Sequence, residues 1–266
     1  MTAVVLAVGG IDPTGLAGLA ADVRAGAAAG VHVATVVSAL TVQNGRGVSR
    51  VEPVSPRLLA AQMRAVLEDL PVGAVKIGLV PEARLLAAIM DTLDGRRVPV
   101  VLDPVLSATS GGRLSGVGIS DLARAAEAGE ILLTPNLDEA AELLGGGSMD
   151  GLEDMKDAAS GLARRTGCAV LLKGGHLEEG GTVADVLCDG RIVSVFRTHR
   201  VPARARGTGC ALATLIAAGL AHGRELGSAV PAARRMVSEA LERIAAGPAP
   251  EGVPSVLPLA PEDGRA

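Results

Sequence analysis

Aromatic side chains are nearly absent: the 266 residues include no Trp, no Tyr and a single Phe, Phe196. Stacking platforms for single-stranded nucleic acid are therefore excluded. Hydrophobic residues still make up 48% of the chain, so the core must be built from Val, Leu, Ile, Ala and Met. Only three cysteines occur, Cys168, Cys188 and Cys210, with no CxxC pair. That argues against a disulfide framework or a zinc site and fits a reducing cytosol. No apolar run approaches the ~20 residues of a membrane span. The apolar stretch Ala3–Val8 has no basic residue ahead of it, so no signal peptide is expected. Net charge is −4 with the basic residues scattered, which gives no footprint for DNA or RNA. The expectation is a soluble cytoplasmic protein with no nucleic-acid or membrane partner.

What is present is an alternation of short β-branched runs and longer amphipathic ones. Strands are predicted at Ala3–Val8, Val33–Leu40, Ala74–Leu79, Pro99–Leu102, Ile131–Leu133 and Ala169–Leu172. After Pro56, the spacing of Leu59, Met63, Val66, Leu67 and Leu70 predicts a helix. Leu152, Met155, Ala159 and Leu162 share one face of another. Near-continuous apolar strands joined by helices imply a mostly parallel sheet covered on both faces. Thr182–Val195 reads as a hairpin turning at Asp189-Gly190. Helices over Gly209–His222 and Ser228–Ala245 follow. One α/β domain spanning 1–246 is expected, with a Pro-rich irregular tail over 247–266.

In such sheets ligands bind at the carboxyl ends of the strands. The polar clusters fall there: Gly9 to Gly15, Thr41-Val42-Gln43-Asn44, Asp103-Pro104, Thr134-Pro135-Asn136 and Lys173-Gly174-Gly175-His176. Gly207-Thr208-Gly209-Cys210 precedes a run of small apolar residues. A glycine-rich turn opening a helix presents unpaired N–H groups at the positive end of its dipole, a seat for phosphate. Cys210 is placed at the first position of that helix, where a thiol loses its proton more easily. The alternative is a helix entered through a flexible turn with a buried packing cysteine.

These segments in order, GGIDPTGLAG (9–18), ALTVQNGRGV (39–48), KIGLV (76–80), VVLDPVLSATSG (100–111), LLTPNLDEAAELL (132–144), AVLLKGGH (169–176) and GTGC (207–210), resemble the ribokinase superfamily. Within it they resemble the hydroxymethylpyrimidine/phosphomethylpyrimidine kinases of thiamine biosynthesis. The resemblance covers nearly the whole chain. It implies a three-layer α/β/α ribokinase-like fold, ATP as co-substrate, Mg²⁺, and a homodimer. It also implies phosphorylation of 4-amino-5-hydroxymethyl-2-methylpyrimidine and then of its monophosphate.

The resemblance places the pyrimidine near Gly10, Asp22 and Gln43. Gln43 offers both a donor and an acceptor to a ring nitrogen and an exocyclic amine; Asp22 accepts from that amine or is a solvated helix carboxylate. Asn136 and Glu139 match an Asn-x-x-Glu motif that helps hold Mg²⁺ and phosphate, yet the same spacing makes a helix cap. Asp103 is a second oxygen ligand for a hydrated Mg²⁺, or a turn aspartate. Lys173 neutralises charge on the transferring phosphoryl group, or is a solvent-exposed lysine. Gly207, Thr208 and Gly209 form the anion loop, and Cys210 stands beside the reacting oxygen, where many sugar and pyridoxal kinases of the superfamily carry Asp. A thiol serves as base in the first step and stays neutral beside the anionic monophosphate in the second.

Departures from the family pattern are Leu16 in the first loop, Leu79-Val80 at the pocket wall, and Ala203-Arg204-Ala205-Arg206 where relatives tend to show Thr-His. Arg206 either binds phosphate or is solvated. His176 receives no role. Two other functions remain open: a pyridoxal or pyridoxine kinase, and a catalytically silent binding protein on the same scaffold.

Overall fold

The computed structural model describes residues 2–107, 112–175, 181–203, 205–247 and 255–261; His176 and Arg204 lie outside them. Strands β1 (Val4–Ile11), β2 (His32–Asn44), β3 (Gly47–Pro53), β4 (Val72–Ile77), β5 (Val100–Leu102), β6 (Ile131–Leu133), β7 (Ala169–Lys173), β8 (Thr182–Cys188) and β9 (Val193–His199) form one sheet. Their order is β3-β2-β1-β4-β5-β6-β7-β8-β9. The six inner strands are parallel, and β3, β8 and β9 add antiparallel edges.

Helices α2 (Pro56–Asp69), α3 (Ala83–Leu93), α4 (Ile119–Ala126), α5 (Leu137–Leu144) and α6 (Leu152–Thr166) cover one face. Helices α1 (Gly18–Ala28), α7 (Thr208–Ala221) and α8 (Leu226–Ala246) cover the other. The result is the expected three-layer α/β/α arrangement. The α2 helix begins as its sequence dictates: Pro56 takes the first turn, and the Ser55 hydroxyl accepts a hydrogen bond from Leu58 N at 3.2 Å. Its Leu59 and Met63 are fully buried, each contributing roughly 1.5–3 kcal/mol of burial. Helix α7 is buried from Ala211 through Gly219, which explains its lack of a polar stripe.

The sheet's alternation sets the site. Ala74, Val101, Leu132 and Leu171 point into the α1/α7/α8 layer. Two residues on, Lys76, Asp103, Thr134 and Lys173 therefore face the same layer at the strands' carboxyl ends.

Three features differ from the expectations. Strand β2 continues to Asn44 and turns into β3, so Thr41–Asn44 form the tip of a hairpin projecting beyond Ile11. Polar, mixed composition over Gly47–Pro53 hid that edge strand. The stretch read as an irregular tail contributes a two-residue strand β11 (Ser255–Val256), which pairs with β10 (Ala205–Arg206) beside the anion loop; Leu257 is buried against α7 and α8. Helix α1 carried no amphipathic signal because its Ala- and Gly-rich sequence packs close to the sheet.

Candidate active site

The anion loop is built around glycine. Gly207 caps α7 with φ +76°, and a side chain there would run into the Leu16 carbonyl. Gly18, at φ +59°, would likewise strike the Gly10 carbonyl. Asp12 shapes the first loop by accepting hydrogen bonds from Thr14 N at 2.8 Å, the Thr14 hydroxyl at 2.7 Å and Ala17 N at 2.9 Å. Helix α7 makes its first internal bond from Ala211 N to Gly207 O at 2.9 Å. The N–H groups of Thr208, Gly209 and Cys210 thus have no partner within the helix. Cys210 is the third helical residue, not the first as its sequence suggested.

Below this turn the strand ends converge. Lys173 Nζ donates to Asp103 Oδ1 at 2.7 Å, and the Thr134 hydroxyl donates to the same oxygen at 3.1 Å. A Cβ on Gly209 would lie 3.3 Å from Lys173 Nζ and 3.5 Å from Asp103 Oδ2. The glycine therefore lets the helix terminus approach the ion pair. Burial opposes charge on both partners, but Lys173 and Lys76 hold the Asp103 carboxyl below its ordinary range. Asp103 and Glu139 in turn keep the Lys173 ammonium protonated. Lys173 is not the solvent-exposed lysine of the alternative reading; its side chain is 16% exposed.

Asn136 and Glu139 form a reciprocal cap on α5. Glu139 N donates to Asn136 Oδ1 and Asn136 N donates to Glu139 Oε2, both at 2.8 Å. Burial pushes the Glu139 carboxyl up to about 7, and Asp103 adds to the rise against the lowering effect of Lys173 and of N–H groups on Asn136 and Leu106. Two mutually repelling carboxylates near one end of the sheet suit a hydrated divalent cation, which needs only one or two protein oxygens. No group of three or more candidate metal-binding side chains occurs among the described residues.

The acceptor side differs from its sequence reading. Asp22 is fully buried, neither solvated nor at an open surface. Lys76 Nζ donates to its Oδ1 at 2.8 Å and its Oδ2 at 2.9 Å, and the Thr214 hydroxyl donates to Oδ1 at 2.9 Å. Gly10 is buried under Leu79, whose Cδ2 would stand 2.9 Å from a Cβ there. Gln43 is partly buried at the hairpin tip, where residues 42–44 and 46–49 line a hollow of about 320 Å³. Arg206 is tied to that tip, donating to Asn44 O at 3.1 Å. The hairpin and the anion loop are therefore linked.

Cys210 is partly buried, and the expected fall in its pKa is reversed. Burial pushes the thiol up; Asp22 and Asp103 add to this, while Lys76 and the Gly18 N–H act the other way. The helix terminus does not outweigh desolvation plus two carboxylates. Lys76, Thr134 and Thr214 received no role from the sequence. The available signal was Lys76 itself, a charge inside the apolar strand Ala74–Ile77.

No described helix is long and apolar enough to cross a membrane. The phosphomethylpyrimidine kinase family matches residues 12–252. The chain is 42% identical over 247 residues to a hydroxymethylpyrimidine/phosphomethylpyrimidine kinase from Rhizobium meliloti, covering 91% of each. It is similar to the crystal structure of a phosphomethylpyrimidine kinase from Clostridium difficile, with 30% identity, a TM-score of 0.75, and coverage of 90% of this chain and 100% of that one. A pyridoxal kinase from Bacillus subtilis solved as an ADP complex superposes with a TM-score of 0.80 at 25% identity, over 95% and 96% of the two chains. With its glycine-opened helix, strand-end ion pair and Asn136–Glu139 motif on a ribokinase-like fold, the chain belongs to the phosphomethylpyrimidine kinase family.

Proposed function

We propose that this chain transfers the γ-phosphoryl group of ATP to 4-amino-5-hydroxymethyl-2-methylpyrimidine, then phosphorylates the monophosphate to the diphosphate, for thiamine biosynthesis. The observation that carries the reading is the meeting of Lys173, Asp103, Glu139 and the N–H groups of α7 at one end of the sheet. Phosphoryl transfer asks mainly for positioning and charge stabilisation, and these groups supply both. The N–H groups of Thr208, Gly209 and Cys210 receive phosphate oxygens, and Lys173 offsets their charge. Asn136 holds Glu139 in place, and Asp103 with Glu139 would hold Mg²⁺ through water. Held there, the cation would supply positive charge to offset that of the phosphates.

In the first step the hydroxymethyl oxygen forms a bond to the γ-phosphorus, the bond to the ADP oxygen breaks, and Cys210 as thiolate takes the alcohol proton. In the second, the acceptor phosphate is already anionic and needs no base. The protonated, neutral thiol then adds no repulsion. Gln43 and Gly10 flank the acceptor on the hairpin side. Asp22, being engaged by Lys76, acts from behind the pocket rather than on the amine.

A homodimeric cytoplasmic enzyme fits this reading, with Leu40 and Val42 exposed on the β2–β3 hairpin as the apolar surface a second copy would cover. Sedimentation of wild type against Leu40→Glu tests the dimer. ATP turnover compared between the pyrimidine alcohol and pyridoxal tests the acceptor, and preference for pyridoxal would reverse the assignment.

A further inference from the structure

A fully buried ion pair joins α1 to β4 beneath α7. Lys76 of β4 and Asp22 of α1 are 1% and 0% exposed and meet in a two-oxygen contact. Such pairs are poor stabilisers, because desolvating two charges offsets their attraction, and apolar replacements of similar volume are often as stable. Its placement gives another reason. A Cβ on Gly78 would lie 2.7 Å from Lys76 Nζ, so the ammonium curls up to the carboxyl edge of the sheet. Thr214, which bonds Asp22, stands four residues after Cys210 on α7. The two side chains occupy one helix face in successive turns, which puts Cys210 on the face of α7 that meets Asp22.

We propose that Lys76 and Asp22 are positioning residues that set the reactivity of Cys210 through opposed charges, Lys76 favouring the thiolate and Asp22 restraining it. The inference rests on Cys210 serving as the base of the first step. Cations near the thiol, Lys76 and Lys173, act against carboxylates, Asp22 and Asp103. Lys76 lowers its pKa, Asp22 and Asp103 raise it, and the Gly18 N–H lowers it. Reciprocally, the thiolate strengthens protonation of Lys76 and of Lys173. A balanced pair leaves Cys210 neutral for the anionic second acceptor, yet ionisable for the first. The isolated charge of either partner would lose one of these properties.

The test is the pH dependence of Cys210 alkylation by iodoacetamide in the ligand-free protein. Cys168 and Cys188 are buried, so Cys210 supplies the fast phase, and Cys210→Ser identifies it by abolishing that phase. Asp22→Asn should shift the inflection to lower pH and speed labelling at neutral pH about tenfold. Lys76→Met should shift it upward and slow labelling about tenfold, since one neighbouring charge commonly moves a pKa by a unit or more. Lys76→Met/Asp22→Asn should fall between them, and it keeps the comparison available if one single variant fails to fold. Single variants that shift the inflection in the same direction, or not at all, would overturn the proposal. If the inflections move as stated but the pH profile of the first phosphorylation does not follow, the pair's role stands and the base reading of Cys210 falls.

Discussion

The Lys173 ammonium lies 2.7 Å from Asp103 Oδ1, reaching from β7 across the end of β6 to β5. The pair supplies a cation for phosphate and a carboxylate for a metal ion from one rigid layer. Lys173→Met should therefore lower kcat about 10²–10³-fold in both phosphorylation steps, the usual effect of losing one preorganised charge-stabilising donor. The acceptor KM should stay near its wild-type value. Steady-state kinetics with each acceptor would check this. A rise in KM at unchanged kcat would place Lys173 in ground-state binding instead.

Glu139 makes the stability of the metal-free protein depend on pH. Its folded value of about 7 exceeds its ordinary 4.5, so the folded state holds the proton more tightly than the unfolded state. This contribution is fully present below about pH 4.5 and is lost as pH rises through about 7, on the order of 3 kcal/mol. Thermal unfolding in EDTA should show Tm falling across that window. Glu139→Gln, which can still close the α5 cap, should flatten the slope. A Tm that rises from pH 5 to 7 in wild type and variant alike would contradict this.

Gln43→Ala should weaken acceptor binding by the ~1–3 kcal/mol of an unmatched hydrogen-bonding partner, roughly a 5- to 150-fold rise in KM. ATP should bind as before, because β2 lies three strands from β5 and five from β7, which carry Asp103 and Lys173. Calorimetry with each ligand separates the two. Impaired nucleotide binding with normal acceptor affinity would put Gln43 in the other half of the site.

Cys210 predicts different pH profiles for the two steps. With its thiol raised above the ordinary 9.0, little thiolate exists at neutral pH. The first-step kcat/KM should then rise about tenfold per pH unit from 7 to 9, while the second step stays nearly flat. Cys210→Ser should slow the first step more than the second. Cys210→Asp should keep part of the first step and impair the second, where two anions would crowd one low-dielectric pocket. Equal slowing of both steps by both variants would make Cys210 a packing residue.

Much of this site is written in strand periodicity. Val101 then Asp103, and Leu171 then Lys173, announce apolar strands whose next inward position is charged. The Asn136–Glu139 spacing likewise announces the cap seen on α5. The Asp22–Lys76 contact was not legible, because its partners lie 54 residues apart and only the packing of α1 on the sheet joins them. The direction of the Cys210 shift was hidden for the same reason. A helix terminus is visible in sequence, whereas desolvation and two converging carboxylates arise only on folding. Strand β3 escaped because an exposed edge strand needs little apolar character.

The most direct test of two successive transfers at one site is phosphorus NMR of the pyrimidine alcohol incubated with the protein, Mg²⁺ and ATP. The account predicts a monophosphate ester signal that rises first and then gives way to the two coupled resonances of a diphosphate, with two ADP formed per alcohol consumed. An unchanged alcohol, alongside ADP and a phosphate ester formed only when pyridoxal is supplied, would contradict it.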